Sequence, residues 1–281
     1  MYWQTSRFRI NLSEPKVMAI VNLTPDSFSD GGVSDARAGV RRAAEALEAG
    51  ADMLDLGAES TRPGAVPLSE SDELARLLPV LKAAVAWQVP ISVDTYKPGV
   101  MRAALDAGAD VINDVWALRW RDPSGLSGET VVSEHPNCGV CLMHMHGEPL
   151  TMQVNPMREP PTAMPAAVAS FLMARTEALL MRGVAGPRIV VDPGIGFGKT
   201  VAQNYALLPG QQALSALGFP VLAGWSRKSA LGAVTGRAVD ERLSASVAAS
   251  TIALMHGASV LRVHDVAATR DAVRVWLASQ R

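Results

Sequence analysis

Asp192 closes the apolar run Ile189-Val190-Val191 and is followed at once by Pro193 and glycines at 194, 196 and 198. Three β-branched residues in a row read as a strand buried on both faces of a parallel sheet. An ionised carboxylate at the end of such a strand is costly unless a cation or dense hydrogen bonding meets it. The glycines let backbone or ligand approach closely, and Phe197 among them is either a lid or a stacking surface. One such Asp alone is equally well read as the cap of the next helix. The pattern recurs, however. Asn22, Asp55 with Glu59, Asp94, Asn113 with Asp114, His144 with His146, Ser226-Arg227-Lys228 and Arg262-Val263-His264-Asp265 each close a short apolar run. Caps do not account for a polar group at every strand end. Their mixed charge suits a ligand with an anionic part and a part that donates hydrogen bonds. Arg262 and His264, just before the final helix, read as an anion site.

The elements that must carry these residues follow from periodicity. Strands are expected at 17–22, 52–57, 90–94, 110–114, 139–144, 188–192, 219–224 and 259–264. Helical spacing follows them over 35–49, 69–87, 98–107, weakly 127–135, 165–182, 204–217, 227–235 with 241–256, and 266–278. Short strands alternating with helices mean parallel βαβ units. Gly50-Ala51-Asp52, Gly108-Ala109-Asp110 and Gly257-Ala258-Ser259 are near-identical turns with glycine stopping the helix. The units, with no linker between them, predict an α/β fold: a (β/α)8 TIM barrel in a single domain, residues 1–281 with a core of 17–278. A doubly wound open sheet is the alternative, but it would gather polar residues at one switch point.

Composition excludes several classes. The 281 residues, 48% hydrophobic, suffice for one large barrel, and a formal net charge of −1 gives no reason to expect nucleic acid or an anionic membrane. The sequence has no run of eighteen apolar residues, so no membrane span is expected. Its first residues lack a signal peptide's apolar core, which points to the cytoplasm. Cys138 and Cys141 flank a strand, point to opposite faces and read as buried thiols. His144-Met145-His146 could hold a metal on one strand face, but strand one ends in Asn22 rather than the His-x-His of metal-dependent barrel hydrolases. No Walker or dinucleotide glycine motif is present. Residues 22–32 and 57–64 read as lids with Pro and Gly punctuation. The polar segment 118–134 receives no role.

Four stretches carry a resemblance: 22–32 (NLTPDSFSDGG), 57–64 (GAESTRPG), 192–198 (DPGIGFG) and Ser226-Arg227-Lys228-Ser229. From about residue 17 to 276 the chain resembles the dihydropteroate synthases of folate biosynthesis. That resemblance implies condensation of 6-hydroxymethyl-7,8-dihydropterin pyrophosphate with p-aminobenzoate, Mg²⁺ dependence, inhibition by sulfonamides and a homodimer. It implies pterin contacts from Asp94, Asn113, Asp192, Lys228, Met143 and Gly196, with Lys228 the counter-charge of Asp192 in the ligand-free protein. It assigns pyrophosphate to Asn22, Thr61, Arg262 and His264, with Asn22 on the Mg²⁺. p-Aminobenzoate falls to Phe28, Asp30, Thr61, Arg62, Pro63, Phe197 and Ser226, its carboxylate on the Ser226 N–H and hydroxyl, while Arg227 braces that loop. Asp94, Asp192, Lys228, Arg262 and His264 are the expected catalytic set. A pterin-binding methyltransferase or a silent pterin-binding barrel would share the Asn and Asp contacts. The methyltransferase lacks the Thr-Arg-Pro-Gly and Ser-Arg-Lys loops, and the silent barrel would have lost Arg262, His264 or Lys228.

Overall fold

The computed structural model describes residues 1–23, 33–60 and 64–280, with side chains at 33–35 excepted. The chain opens with an antiparallel hairpin that periodicity missed, β1 (Tyr2–Gln4) and β2 (Arg9–Asn11). Then come β3 (Lys16–Asn22), β4 (Met53–Gly57), β5 (Ile91–Asp94), β6 (Val111–Asp114), β7 (Gly139–Met143), β8 (Ile189–Asp192), β9 (Val221–Ala223) and β10 (Ala258–Val263). These eight are parallel and close in the order β10-β3-β4-β5-β6-β7-β8-β9, as the (β/α)8 reading expects.

The strands alternate with a period of two. Met18, Met53, Val111, Cys141, Val190, Leu222 and Val260 point inward and form one apolar layer low in the barrel, sealed from below by Trp3, Ile10 and Leu12 of the hairpin region. The residues between them, such as Val17, Leu54, Ile112, Val140 and Val191, face the helices. Cys141 lies in the inner layer and Cys138 in the outer, both free thiols, so the two-face reading of that pair holds. Trp3 is wholly buried and donates from Nε1 to the Arg188 carbonyl at 2.9 Å.

Around the barrel run α1 (Val33–Glu48), α2 (Glu70–Val85), α3 (Pro98–Asp106), α4 (Gly128–Glu134), α5 (Met164–Met181), α6 (Val201–Gly210), α7 (Gln212–Ser215), α8 (Ser229–Thr235), α9 (Leu243–Met255) and α10 (Val266–Ser279). Ser69, Ser127 and Thr200 cap three of them through side-chain oxygens. Gly50, Gly108 and Gly257 take φ of 97°, 102° and 93°, the left-handed stop their turns predict. The helix expected over 204–217 is split at Gln211, which is buried and donates to the Ala253 carbonyl at 2.9 Å. By length and hydropathy alone, residues 161–181 could cross a membrane. Here α5 lies in the outer ring with Val168, Leu172 and Leu179 packed inward.

Candidate active site

The layer above the apolar floor is polar, and it is set by the same alternation. Asp55, Asp94, Asn113, Asp192 and Arg262 share the inward parity of the residues beneath them, so β4, β5, β6, β8 and β10 bring them to one end of the barrel. They frame a cavity completed by Val115, Met143, Ile195, Phe197, Gly224 and Lys228.

Arg262 crosses the barrel to two carboxylates. Its Nε donates to Asp55 Oδ2 and its Nη2 to Asp94 Oδ2, each at 2.6 Å. Burial disfavours the guanidinium charge, but Asp55 and Asp94 hold its pKa above the ordinary arginine value. Asn113 donates from Nδ2 to both oxygens of Asp55, at 3.4 and 3.3 Å, which leaves its carbonyl oxygen free of that pair. Asp94 keeps one oxygen, Oδ1, without a partner among the described residues. Burial pushes its carboxyl up to about 7; Arg262 pulls down, while Asp55 and Asp114 push further up.

Asp192 is the anchor of the opposite wall. Its Oδ1 accepts the Gly194 N–H at 2.7 Å. Burial raises its pKa, against that hydrogen bond and the charges of Lys228, Arg262 and Lys199. The Lys228 ammonium sits 4.4 Å from the centre of the Phe197 ring, a cation–π contact. A side chain at Gly196 would touch the Lys228 stem at 3.4 Å, and the backbone φ of 83° there favours glycine. Ser226 and His264 lock together: the Ser226 Oγ accepts the His264 N–H at 3.1 Å and lies 3.0 Å from Nδ1. The Ser226 hydroxyl thus holds both the backbone and the ring of His264. Burial, then Arg262 and Arg227, push the His264 pKa down to about 3, so the ring is neutral at pH 7.

A pocket with carboxylates on one side, an ammonium and a guanidinium on others, and a ring and a thioether between them suits a flat heterocycle with an anionic arm. The family of pterin-binding enzymes matches residues 18–264. A dihydropteroate synthase of Neisseria meningitidis serogroup B is 46% identical over 98% of this chain and 96% of its own. The chain belongs to the dihydropteroate synthase family. Two crystal structures of dihydropteroate synthases agree. That of Burkholderia cenocepacia, complexed with 7,8-dihydropteroate, is 46% identical with a TM-score of 0.88, covering 99% of this chain and 96% of its own. That of Xanthomonas albilineans with 4-aminobenzoic acid is 45% identical with a TM-score of 0.89, covering 100% and 99%.

Of the residues that the dihydropteroate synthase pattern singles out, Asp94, Asn113, Met143, Asp192, Phe197, Lys228 and Arg262 line the cavity, with Gly196 behind Lys228. Asn22 ends β3 beside Gly57, in the row that continues to Asp94. Phe28, Asp30, Thr61, Arg62 and Pro63 lie outside the described residues. Three residues sit in settings the sequence did not reveal. The Arg262 guanidinium is paired with Asp55 and Asp94. The Ser226 hydroxyl is likewise engaged by His264, and Ser226 lies three residues before α8 rather than at its first turn. His144 has the outward parity of β7: it is buried edge-on against Phe171 at 4.8 Å, its Nδ1 without a partner among the described residues and its pKa pushed by burial to about 2. His146, two residues on, is exposed.

Asp55, which the sequence marks only as a strand-end carboxylate, is the partner of both Arg262 and Asn113. Lys199 and Lys97 are residues that the sequence did not single out. Lys199, 2% exposed, donates to three carbonyls: Gly194 at 2.8, Phe197 at 3.2 and His144 at 3.3 Å. Lys97 bridges Glu59 and Glu73 in a buried triad whose Glu59 also accepts the Leu68 N–H at 2.9 Å. Arg227 does brace its loop, through paired bonds to Asp265 at 3.1 and 2.6 Å. The segment 118–134 gains a place. Asp114 caps its entry by accepting from Trp116 and Leu118 N–H, and Trp116 and Trp120 join Tyr96 beside Met143 and Phe197.

Proposed function

We propose that this chain, acting as one barrel domain, condenses 6-hydroxymethyl-7,8-dihydropterin pyrophosphate with p-aminobenzoate to 7,8-dihydropteroate and pyrophosphate. The observation that carries this reading is the cavity in which Asp192, Asn113 and the unpartnered Asp94 Oδ1 face a heterocycle's edge while Lys228 and Arg262 supply positive charge. The 2-amino and N3–H groups of a pterin donate side by side to Asp192. Asn113 and Asp94 meet other ring positions, Lys228 donates to the carbonyl and a ring nitrogen, and Met143 packs on the ring.

The arm carries the leaving group. Two of the five guanidinium N–H bonds of Arg262 go to Asp55 and Asp94, so the remainder can meet pyrophosphate without breaking those pairs. The neutral His264 adds a ring nitrogen. Asn22 offers an amide oxygen at the same end, and an all-oxygen set of this kind fits Mg²⁺, which takes few protein ligands and keeps waters. Held by Asn22 together with the substrate's pyrophosphate, Mg²⁺ would supply positive charge against the departing pyrophosphate. The methylene–oxygen bond breaks first, its electron pair departing with pyrophosphate, and the electron-rich dihydropterin spreads the cationic charge. The neutral aniline nitrogen then attacks the methylene carbon and releases one proton to solvent. No strong base is required, so the acids serve binding. p-Aminobenzoate stacks near Phe197, and its carboxylate meets the backbone N–H of Ser226. Sulfonamides, aryl amines with an anionic sulfonyl group, compete there.

Val234, Leu243, Met255 and Val275 are exposed apolar residues on α8, α9 and α10, which supports a homodimer through this face. A sedimentation series that holds at 29.7 kDa at every concentration would remove that part of the proposal. The two free thiols support a reducing, cytoplasmic setting. The reaction itself is tested by pyrophosphate release from the dihydropterin substrate with Mg²⁺. Release that depends on p-aminobenzoate and yields dihydropteroate supports a synthase. Pterin binding without release would favour a methyl-carrier or silent barrel.

A further inference from the structure

Lys199 ends the loop that Asp192 begins, yet it does not line the cavity. Its three ammonium protons meet three acceptors, two from its own loop and one, the His144 carbonyl, from the end of β7. The loop wraps the cation because Gly194, Gly196 and Gly198 take φ of 67°, 83° and 68°, which lets the carbonyls of 194 and 197 turn inward. Two amides of the same loop reach other partners: Gly194 N–H reaches Asp192 Oδ1, and Gly196 N–H reaches Asn204 Oδ1, both at 2.7 Å. No room remains for side chains at 194 or 198, where a Cβ would strike the backbone of His144 or His146. A lysine buried without direct contact to a carboxylate is costly, and a purely structural plug could be apolar.

We propose that Lys199 is a positioning residue: its ammonium fixes the loop so that Asp192 presents Oδ2 to the pterin, and it is the cation that stays with Asp192 when the ligand engages Lys228. Arg262 is already committed to Asp55 and Asp94, and Lys228 is reassigned to the pterin carbonyl. Lys199 is held by its three carbonyls; burial pushes its pKa down to about 7 while Asp192 pulls it back up, so the ammonium is present at and below neutral pH. Asp192 must be ionised to accept two pterin N–H bonds, and its burial works against that charge. The other charged or titratable groups facing this pair are Lys228 before α8, Arg262 on β10, Cys141 on β7 and His144 after it. The inference rests on the pterin reading of the site given above.

The test compares wild-type, Lys199→Gln, Lys199→Met and Lys199→Arg proteins. Two readouts run from mildly acidic to mildly alkaline pH: binding of 6-hydroxymethyl-7,8-dihydropterin alone by titration, and steady-state condensation. Thermal melts accompany both. The Gln protein keeps two donors and loses the charge. It is expected to bind dihydropterin about tenfold more weakly, with the acidic limb of binding moved up by about one pH unit. Its KM for p-aminobenzoate should change by less than about threefold. The Arg protein keeps the charge and should keep the limb where the wild type has it. A Gln protein with an unmoved limb, or with equal losses for both substrates at every pH, overturns the proposal. Should the Gln and Met proteins fail to fold, the Arg protein decides: a limb at the wild-type position supports the role and a displaced one refutes it. A wild type that binds dihydropterin but releases no pyrophosphate would sink the synthase reading and leave the Lys199 comparison intact, because binding alone reports on it.

Discussion

Arg262 and Asp55 meet across the barrel from positions 207 residues apart, Nε to Oδ2 at 2.6 Å, with the Asp55 side chain wholly buried. Asp55 is also the acceptor for the Asn113 amide, so one carboxylate orients both an anion-binding guanidinium and a pterin-facing amide. Removing it strands a charge. Asp55→Ala is expected to cost about 3 kcal/mol in urea unfolding and to lower kcat at least about tenfold by loosening Arg262. Unchanged stability and kcat would show that Asp94 alone suffices.

Arg262 itself acts where charge appears during the reaction. Arg262→Ala should lower kcat by about 100- to 1,000-fold, more than it raises KM for dihydropterin pyrophosphate. A variant with raised KM and an intact kcat would assign Arg262 to ground-state binding only.

The Lys97 triad makes a different prediction. Glu59 and Glu73 share one cation, and burial already raises the Glu73 pKa despite its bonds to Lys97 and Thr95. Lys97→Met leaves both carboxylates buried without it and should destabilise the fold by about 3–5 kcal/mol near pH 7. With the folded Glu73 pKa above its unfolded value, the deficit narrows as pH falls and Glu73 takes up a proton. Melting curves across mildly acidic pH check this; a deficit that stays constant would refute it.

His144 is buried neutral, its pKa pushed from 6.5 to about 2. Its contribution to stability is present above 6.5 and is lost as pH falls toward about 2. His264, lowered to about 3, acts in the same direction. Asp94 and Asp114, raised from 3.8 to about 7 by burial, act oppositely, favouring the fold as pH falls from about 7. His144→Leu removes an unpartnered ring nitrogen against Phe171 and should flatten the loss of stability below pH 6.5 without lowering the melting temperature at pH 7. An acid slope identical to the wild type's would contradict the burial argument.

Strand ends and helix stops were legible in the sequence because apolar runs and glycine turns repeat at regular spacing. The site was legible as a set of strand-end residues but not sorted by face. Parity does the sorting: Asn113 and Asp192 point inward, whereas Asp114 and His144, each one step from an inward position, turn toward the helices. Lys199 escaped notice because its partners are backbone carbonyls, which composition does not reveal. Ser226 and His264 lie 38 residues apart, and no local pattern announces their hydrogen bonds. The first hairpin was missed because three-residue strands are too short for periodicity to register.

That hairpin bears on the order in which the molecule is built. Ser6 reaches the Ala109 carbonyl at 3.0 Å, Arg7 reaches Asp110, and Trp3 reaches the Arg188 carbonyl. Ser6 and Trp3 therefore have partners made 103 and 185 positions later. Until the chain reaches Arg188, Trp3 lacks its acceptor, and an apolar ring waits on the nascent chain, a standing invitation to holding chaperones.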